Sequence, residues 1–418
     1  MLLEFSCSNH KSFKDKIVFS TVAGKDNTFE DRLMKCGKYR VSKISAIYGA
    51  NGSGKSNFID AIQFMKLLVI NSINHQPGDE IRQQPHKLLS FDVPSEYSVQ
   101  FVVNGIIYAY GFALQNKLVV DEYLFYFPNG RQKKIFERTA DDYIPGDSFK
   151  NKFDSCKDVI KPNRLFLSCA ANFSAVQEIE TVFNFFKEEL VIYRGFGLDN
   201  WRQYSLNRIH DDSRVKAAVL TFLKSLDTGI NDIVVDIQET NMSVDEIDPY
   251  MPKELKALLA NHPISKIDTF IHYDKFSVRI EEESTGIQKL IEFLCPLIDI
   301  LVKGKVLLCD EMETSFHESV FENLIDIINL LKTENKSQII FTTHDTNILD
   351  LNIFRRDQIW FTELKKESRS TDMYSLVEMK SVRKDENIAK GYISGKYGAI
   401  PMLNKDMASF IDKLQHEE

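Results

Sequence analysis

The chain has 418 residues, 43% hydrophobic and 27% charged, a balance that excludes disorder, collagen and a coiled-coil rod as whole-chain descriptions. Lysine and arginine number 52 against 60 acidic residues, and a net charge of −8 argues against a protein built to coat a polyanion, though not against a local nucleic-acid groove. No run approaches the ~18 apolar residues of a membrane helix; Leu290–Val302, the most apolar stretch, contains Glu292 and Asp299. The opening MLLEFSCSNHK lacks the basic segment of a signal peptide, so a cytoplasmic protein is expected. Six scattered cysteines without a CxxC pair point to buried free thiols rather than disulfides or zinc.

In chain order, Leu3, Phe5 and Cys7 alternate as a strand does, and Ile17–Ser20 is a second short strand. Val41–Tyr48 predicts a buried strand and Asn57–Ile73 a helix, with Ile59, Ile62, Phe64, Met65 and Leu68 on its apolar side. Residues 76–96, punctuated by Pro77, Gly78, Pro85 and Pro94, predict a loop. From Tyr97 to Phe127 the pattern is β, with hairpin turns at Asn104-Gly105 and again at Asn129-Gly130. Val176–Leu190 and Val215–Leu226 have helical period, and a short helix is expected at Glu254–Leu259. Strand signals return over Thr269–Glu281. A helix over Gly286–Val302 follows, then strand Val306–Cys309, helix Glu318–Leu331, and strands Gln338–Thr342 and Gln358–Leu364. This alternation predicts a parallel α/β core. A short helix is expected after Ala408.

Four segments carry chemistry. Gly49-Ala50-Asn51-Gly52-Ser53-Gly54-Lys55-Ser56 matches GxxxxGK[ST] between a predicted strand and a predicted helix, which Asn57 opens. Its glycines let successive N–H groups converge on one anion, Lys55 brings a point charge to the outer phosphates, and Ser56 offers a hydroxyl to Mg²⁺. In Val306-Leu307-Leu308-Cys309-Asp310-Glu311, carboxylates close a buried strand. Asp310 would reach Mg²⁺ through water, and Glu311 would act as general base, with Glu313 as a rival on the same side of an extended chain. In Gln338–His344, a histidine just past a buried strand is placed to touch a γ-phosphate. In Glu283-Ser284-Thr285-Gly286-Ile287-Gln288, Ser284 is a natural N-cap, and the N–H groups behind it make an anion site.

The order of these segments resembles the nucleotide-binding domain of ABC-type ATPases, in the branch that includes SMC-like DNA-repair ATPases. ESTGIQ resembles a degenerate form of the signature motif, with Ile287 where a second glycine is usual. NHKSF near the start, LFLS at Leu165–Ser168, DTGINDI at Asp227–Ile233, FRRDQIWF at Phe354–Phe361 and GKYGAIP at Gly395–Pro401 are similar to a bacterial subfamily of anti-phage defence. That subfamily includes RloA-type ATPases and the ATPase of the PARIS system, and is related to the ATPase half of OLD nucleases. The resemblance implies an ABC-type head: an α/β fold with an antiparallel β subdomain and a mixed or parallel core sheet, plus a helical insertion. Residues 1–172 would form its N-terminal half, 173–265 a mostly helical insertion, and 266–418 its C-terminal half.

ATP and Mg²⁺ are the implied ligands. Gly49–Ser56 and Asn57 would bind the nucleotide, Asp310 the metal, with Glu311 the base and His344 the switch histidine. The resemblance further places Lys11 and Ser12 near the nucleotide. It assigns Ser284 and Gly286 to the γ-phosphate held by a second subunit, and Thr314–His317 to the dimer-facing loop, where Glu318 stands in place of a common proline. Gln177 is a weak candidate for the glutamine of the Q-loop. Only 74 residues follow His344, too few for the nuclease domain of OLD-type enzymes, so a separate effector chain is expected. The implied protein is a homodimer, or a higher oligomer, around sandwiched ATP, controlling that effector in anti-phage defence. Two alternatives stay open: an SMC-like repair ATPase acting directly on DNA, against which the short, non-heptad insertion counts, and a slowly hydrolysing scaffold that holds an effector inactive.

Overall fold

The structure is a computed structural model that describes residues 1–140, 142–196, 200–240, 264–315, 318–331, 336–379, 382–383 and 386–400. The helices expected at Glu254–Leu259 and after Ala408 lie outside these residues.

The chain opens with β1 (Leu2–Ser8) and β2 (Ile17–Ser20), an antiparallel pair. The segment Val41–Tyr48, expected as one strand, is broken at Ser42-Lys43. Val41 ends β4 (Tyr39–Val41), which forms a ribbon with β3 (Met34–Cys36), and β5 (Ile44–Tyr48) follows, buried at every residue. Helix α1 (Lys55–Asn71) starts two residues earlier than expected. No regular strand or α-helix spans residues 76–94.

Next come β6 (Ser95–Val103), β7 (Ile106–Gln115), β8 (Leu118–Tyr126), β9 (Lys133–Thr139) and β10 (Asp142–Pro145). Asn104 and Gly105 both take positive φ between β6 and β7, and Asn129 and Gly130 do so between β8 and β9, as the turn signals required. A third turn, Asn116-Lys117, also has two positive φ values but no glycine, so no signal marked it. These strands add to β1 and β2 in an antiparallel sheet of order β10-β9-β8-β7-β6-β1-β2.

Helices α2 (Phe166–Phe173) and α3 (Gln177–Asn184) follow, then a π-helical turn at Phe185–Glu189. Within the stretch expected to be largely helical, β11 (Leu190–Tyr193) and β12 (Asp232–Thr240) flank α4 (Trp201–Asp211) and α5 (Ser213–Ser225). Both strands were hidden among helical periods, and strand pairing decides them. β11 pairs in parallel with β15 (Val306–Cys309), and β12 pairs antiparallel with β13 (Ile264–His272), which pairs in turn with β14 (Ser277–Arg279). Helices α6 (Thr285–Lys303) and α7 (Glu318–Leu330), strands β16 (Gln338–Thr342), β17 (Ile359–Leu364) and β18 (Thr371–Ser375), and α8 (Ile388–Ile393) complete the described elements.

The core sheet has order β11-β15-β16-β5-β17-β18, with its first five strands parallel and β18 antiparallel at the edge. The fold is thus α/β, an antiparallel sheet beside a mostly parallel one, as expected. β5, β15 and β16 are buried at every residue, which parallel strands covered on both faces require. A continuous apolar cluster joins the antiparallel sheet, α1, α2 and one face of the core sheet. Phe19 links them, its ring 5.0 Å from Phe58 of α1 and 4.9 Å from Trp360 of β17. Burying each such ring contributes about 1.5–3 kcal/mol.

Two compact units result. One comprises Met1–Tyr193, Gly304–Glu313 and Glu322–Glu418; the other comprises Arg194–Lys303 and Thr314–Phe321. All six cysteines are free and buried, as anticipated. Among the described residues no helix is long and apolar enough to cross a membrane.

Two buried ionic devices hold the first unit. Arg355 of FRRDQIWF pairs with Asp357 through two bonds of 2.9 and 2.8 Å and donates to the carbonyls of Asp26 and Thr28. Asp357 also accepts the Gly24 N–H, so the motif clasps the β2–β3 connection. In the antiparallel sheet, the fully buried Glu122 accepts from Tyr110 Oη at 2.9 Å and from the N–H groups of Phe166 and Leu167 that open α2, 3.6 Å from Arg138. Burial raises its pKa against the Arg138 charge. Glu122→Ala leaves Arg138 without its carboxylate and α2 without its cap. It should lower unfolding free energy by about 3–5 kcal/mol in a urea titration, the usual cost of breaking a buried pair.

Candidate functional site

Three strands of the core sheet end side by side. β5 runs out at Tyr48 into the loop Gly49–Gly54, β15 into Asp310, and β16 into Thr343 and His344. β5 is the first strand of this sheet, and later strands lie on both its sides, so the crevice at its carboxyl end is where such sheets place ligands.

The loop's course depends on two glycines. A Cβ on Gly49 would come within 2.4 Å of Ser53 Oγ and Thr362 Oγ1. Gly54 has φ +114°, and a Cβ there would meet the Thr371 side chain at 2.6 Å. Hydroxyls brace the loop from outside: Ser53 Oγ lies 2.7 Å from Thr362 Oγ1, and Thr371 Oγ1 donates to the Ser53 carbonyl at 2.8 Å. Asn51, Gly52 and Ser56 are exposed, free to meet a ligand.

Lys55 is buried, and its ammonium turns back onto the loop. It donates to the carbonyls of Gly49 (2.9 Å) and Ala50 (3.3 Å) and lies 2.8 Å from His344 Nε2. Burial pulls its pKa down to about 8, against the attraction of Glu311, Glu313 and Asp310. Burial and the neighbouring Lys55 charge lower the His344 pKa.

Asp310 is fixed on two sides. Its N–H donates to the Tyr193 carbonyl of β11 at 2.9 Å, and its Oδ1 accepts from Thr342 Oγ1 at 2.6 Å. The same hydroxyl accepts the Glu311 N–H at 2.8 Å. Because β16 stands between β5 and β15, Thr342 ties both acids to the middle strand. Glu311 is exposed and has φ +47°, a backbone region uncommon outside glycine that turns its side chain off the strand direction. Glu313 is the more enclosed acid. Its Oε1 accepts the His344 N–H at 2.5 Å, its Oε2 is buried without a hydrogen-bond partner, and burial raises its pKa.

Ser12 and Lys11 arrive from the β1–β2 connection. Ser12 touches α1 directly: its Oγ accepts from Asn57 Nδ2 at 2.8 Å and donates to Thr371 Oγ1, 2.8 Å away, whose own proton goes to the Ser53 carbonyl. Lys11 pairs with Asp60 at 2.7 Å, one turn further along α1. Asp60 also meets the buried His10 at 3.1 Å, and these hydrogen bonds, outweighing burial, bring its pKa down to about 2. Asn9 and Lys11 both take positive φ, a strained course held by Asn9 Oδ1 accepting the His86 N–H and by Lys11 N–H donating to the Gln84 carbonyl.

In the second unit, Ser284 and Gly286 are exposed at the start of α6, and Ser284 Oγ accepts the Ile287 N–H at 3.3 Å, the cap its sequence predicted. Of the expected dimer-facing loop, Thr314 and Ser315 belong to a 3₁₀ turn, Met312–Ser315, while Phe316 and His317 lie outside the described residues. Gln177 is the exposed first residue of α3.

The first unit thus gathers Gly49–Asn57, Ser12, Asp310, Glu311, Glu313 and His344 about one crevice. Sequence reasoning missed Thr342, Thr362 and Thr371. Thr342 was within reach, the last residue of the strand that His344 follows by two places, whereas nothing in the sequence tied the other two to the loop.

Residues 44–350 match the family described as "AAA domain, putative AbiEii toxin, Type IV TA system". The chain belongs to that family. It is a nucleotide-binding ATPase of the AAA-domain type.

No curated protein matches the chain significantly. Among solved structures, it is similar to an SMC head bound to the C-terminal winged-helix domain of ScpA, with 14% identity, 90% of this chain and 97% of that one covered, and a TM-score of 0.42. It is also similar to the SMC head domain from Thermotoga maritima, with 13% identity, 90% and 98% covered, and a TM-score of 0.39. A third is the Pyrococcus furiosus Smc head with an extended coiled coil, bound to the C-terminal domain of ScpA, with 13% identity, 90% and 97% covered, and a TM-score of 0.34.

The donor set of the AAA-domain site suits Mg²⁺. Asp310 and Ser56 offer hard oxygen atoms, and Glu313 Oε2 is a buried acceptor without a hydrogen-bond partner. Among the described residues no three His, Cys, Asp or Glu side chains converge as a metal cage. Mg²⁺ needs none, since it binds through one or two carboxylates together with substrate phosphates and water.

Proposed function

We propose that the chain is an Mg²⁺-dependent, ABC-type ATPase that closes as a homodimer around ATP and controls a separate effector in anti-phage defence, in the manner of RloA-type and PARIS-type ATPases. The observation that carries the hydrolytic part is the hydrogen-bonded chain at the ends of β5, β15 and β16. Lys55 reaches His344 and His344 reaches Glu313, while Thr342 joins Asp310 to Glu311. One cation and three acids thus face a loop shaped for phosphate, leaving a negative excess that a divalent metal would offset.

In this reading the loop N–H groups and Lys55 hold the β- and γ-phosphates. Ser56 and Asp310 would hold Mg²⁺, which would supply charge neutralisation at the phosphates. Glu311, turned out of its strand, takes the proton of the attacking water. His344 is held against the γ-phosphate position by Glu313 through its own N–H. Lys11 and Ser12 border the nucleotide, and the Ser284–Gly286 helix start completes the site of a second subunit. The defence role is supported by the family description, which names a toxin of a type IV toxin–antitoxin system, and by the subfamily motifs.

Lys55→Ala tests the assignment. It removes the full charge of the phosphate loop together with its bonds to the Gly49 and Ala50 carbonyls, so affinity for an ATP analogue should fall at least about tenfold in calorimetric titration. Undiminished affinity would overturn the site.

A further inference from the structure

Residues 395–400 are not used by the chemistry above, yet Ala399 lies against the phosphate loop. The Ala399 carbonyl accepts the Ala50 N–H at 2.9 Å. Ala50 N–H belongs to the same peptide plane as the Gly49 carbonyl, which accepts Lys55 Nζ at 2.9 Å. Two bonds on opposite edges therefore fix that plane. To engage phosphate Lys55 must leave the Gly49 carbonyl, and the bond to Ala399 then remains to keep the plane from turning.

The segment is built to hold that carbonyl. Ala399 has φ +58°, and Tyr392 Oη donates to the same oxygen at 3.1 Å. Tyr374 Oη donates to the Tyr397 carbonyl at 2.7 Å, and Tyr397 Oη donates to Glu386 at 2.5 Å. The rings of Tyr392 and Tyr397 stack on Phe361 of β17, with centroids 5.5 and 5.9 Å away, and Tyr392 also meets Tyr48, the last residue of β5. Gly391 makes room for this arrangement, because a Cβ there would come within 2.6 Å of Tyr397 Oη.

We propose that residues 386–400 are a strap that sets the phosphate loop for ATP, with Ala399 as its positioning residue and Tyr392 as the support of its carbonyl. This rests on the ATPase reading. A positioning role raises KM and leaves kcat in place, because the strap touches no reacting atom. A merely structural role lowers the folded fraction, and with it apparent kcat, at constant KM.

The test is steady-state ATP hydrolysis with Mg²⁺, alongside calorimetric binding of a non-hydrolysable ATP analogue. Ala399→Val places a β-branched residue at positive φ and turns the carbonyl away. It should raise KM and the analogue Kd roughly three- to tenfold, the worth of one hydrogen bond, with kcat within about twofold. Ala399→Gly accepts the same φ and should restore affinity to near that of the unaltered protein. If Ala399→Val does not fold, Tyr392→Phe carries the test. It keeps the stacked ring, removes the supporting hydroxyl, and should raise KM by at least about twofold at unchanged kcat. Unchanged KM in Ala399→Val, or in Tyr392→Phe where that variant carries the test, would overturn the strap, as would an equal loss of affinity in Ala399→Gly and Ala399→Val. Lys55→Ala run in parallel separates the two claims. Retained analogue binding there removes the ATPase reading, whereas lost binding there with unaffected strap variants removes the strap alone.

Discussion

Glu311→Gln should lower ATP turnover roughly 10²–10⁴-fold, the contribution of a positioned general base, while leaving ATP binding intact. The amide keeps the size of the carboxylate and loses its capacity to accept a proton. Glu311 is the acid placed for this work: it is exposed, its N–H is pinned by Thr342, and its φ of +47° takes it off the strand line. Glu313 is committed to the His344 N–H and is more deeply enclosed. Glu313→Gln retains an oxygen acceptor for that N–H, so the expected loss is smaller than for Glu311→Gln. Single-turnover hydrolysis measures both, with analogue binding as the control. Turnover abolished by Glu313→Gln and kept by Glu311→Gln would exchange the two roles. The raised pKa of Glu313, which follows from its burial, is the feature that would then account for its basicity.

The loop between β5 and α1 was legible because its requirements are local. Gly49 and Gly54 leave no room for a Cβ, Lys55 supplies charge, and β5 and α1 flank them within a few residues. Asp310 and His344 were legible for a related reason, since each follows a short, wholly buried strand and stands out by its polarity. Thr342 was harder. A threonine closing a strand is ordinary, and only the order β15-β16-β5 makes its hydroxyl the link between Asp310 and Glu311. Thr362 and Thr371 reach the loop from a hairpin more than 300 residues away, a long-range closure that no local period encodes.

Strands show the same division. β6 and β7 announce themselves through Asn104-Gly105, whose left-handed conformations the turn demands. β11 has four residues, directly follows a π-helical turn and has no turn signal before it, so only its parallel register with Val306–Cys309 makes it a strand. In turn β11 matters to the site, because Tyr193 at its end accepts the Asp310 N–H. A residue of the chemistry is thus placed by an element whose local sequence reads as something else.

Mixing Lys55→Ala chains with Ser284→Arg chains should restore ATPase activity that neither possesses alone. The expectation follows from the proposed dimer, in which the start of α6 from one chain faces the ATP held by the phosphate loop of the other. Lys55 lies in the first unit and Ser284 in the second, and Ser284 is exposed at a helix start, the end of a helix that favours an anion. An arginine at Ser284 would fill that helix start with a bulky side chain and leave the chain's own phosphate loop intact. In each homodimer every site carries a lesion. In the mixed dimer of a closed two-fold contact one site takes both lesions and the other takes neither. Free exchange makes about half the dimers mixed, each with one sound site, so activity should rise toward about a quarter of that of the unaltered protein if sites act independently. The measurement is phosphate release after co-incubation, across a series of mixing ratios. Recovery should peak at equal amounts and vanish at either end, a dependence that slow residual activity of one variant cannot imitate. A flat response, together with a nucleotide-bound structure in which Ser284 contacts the ATP of its own chain, would end the composite site and leave Lys55, Asp310 and Glu311 as a site complete within one subunit.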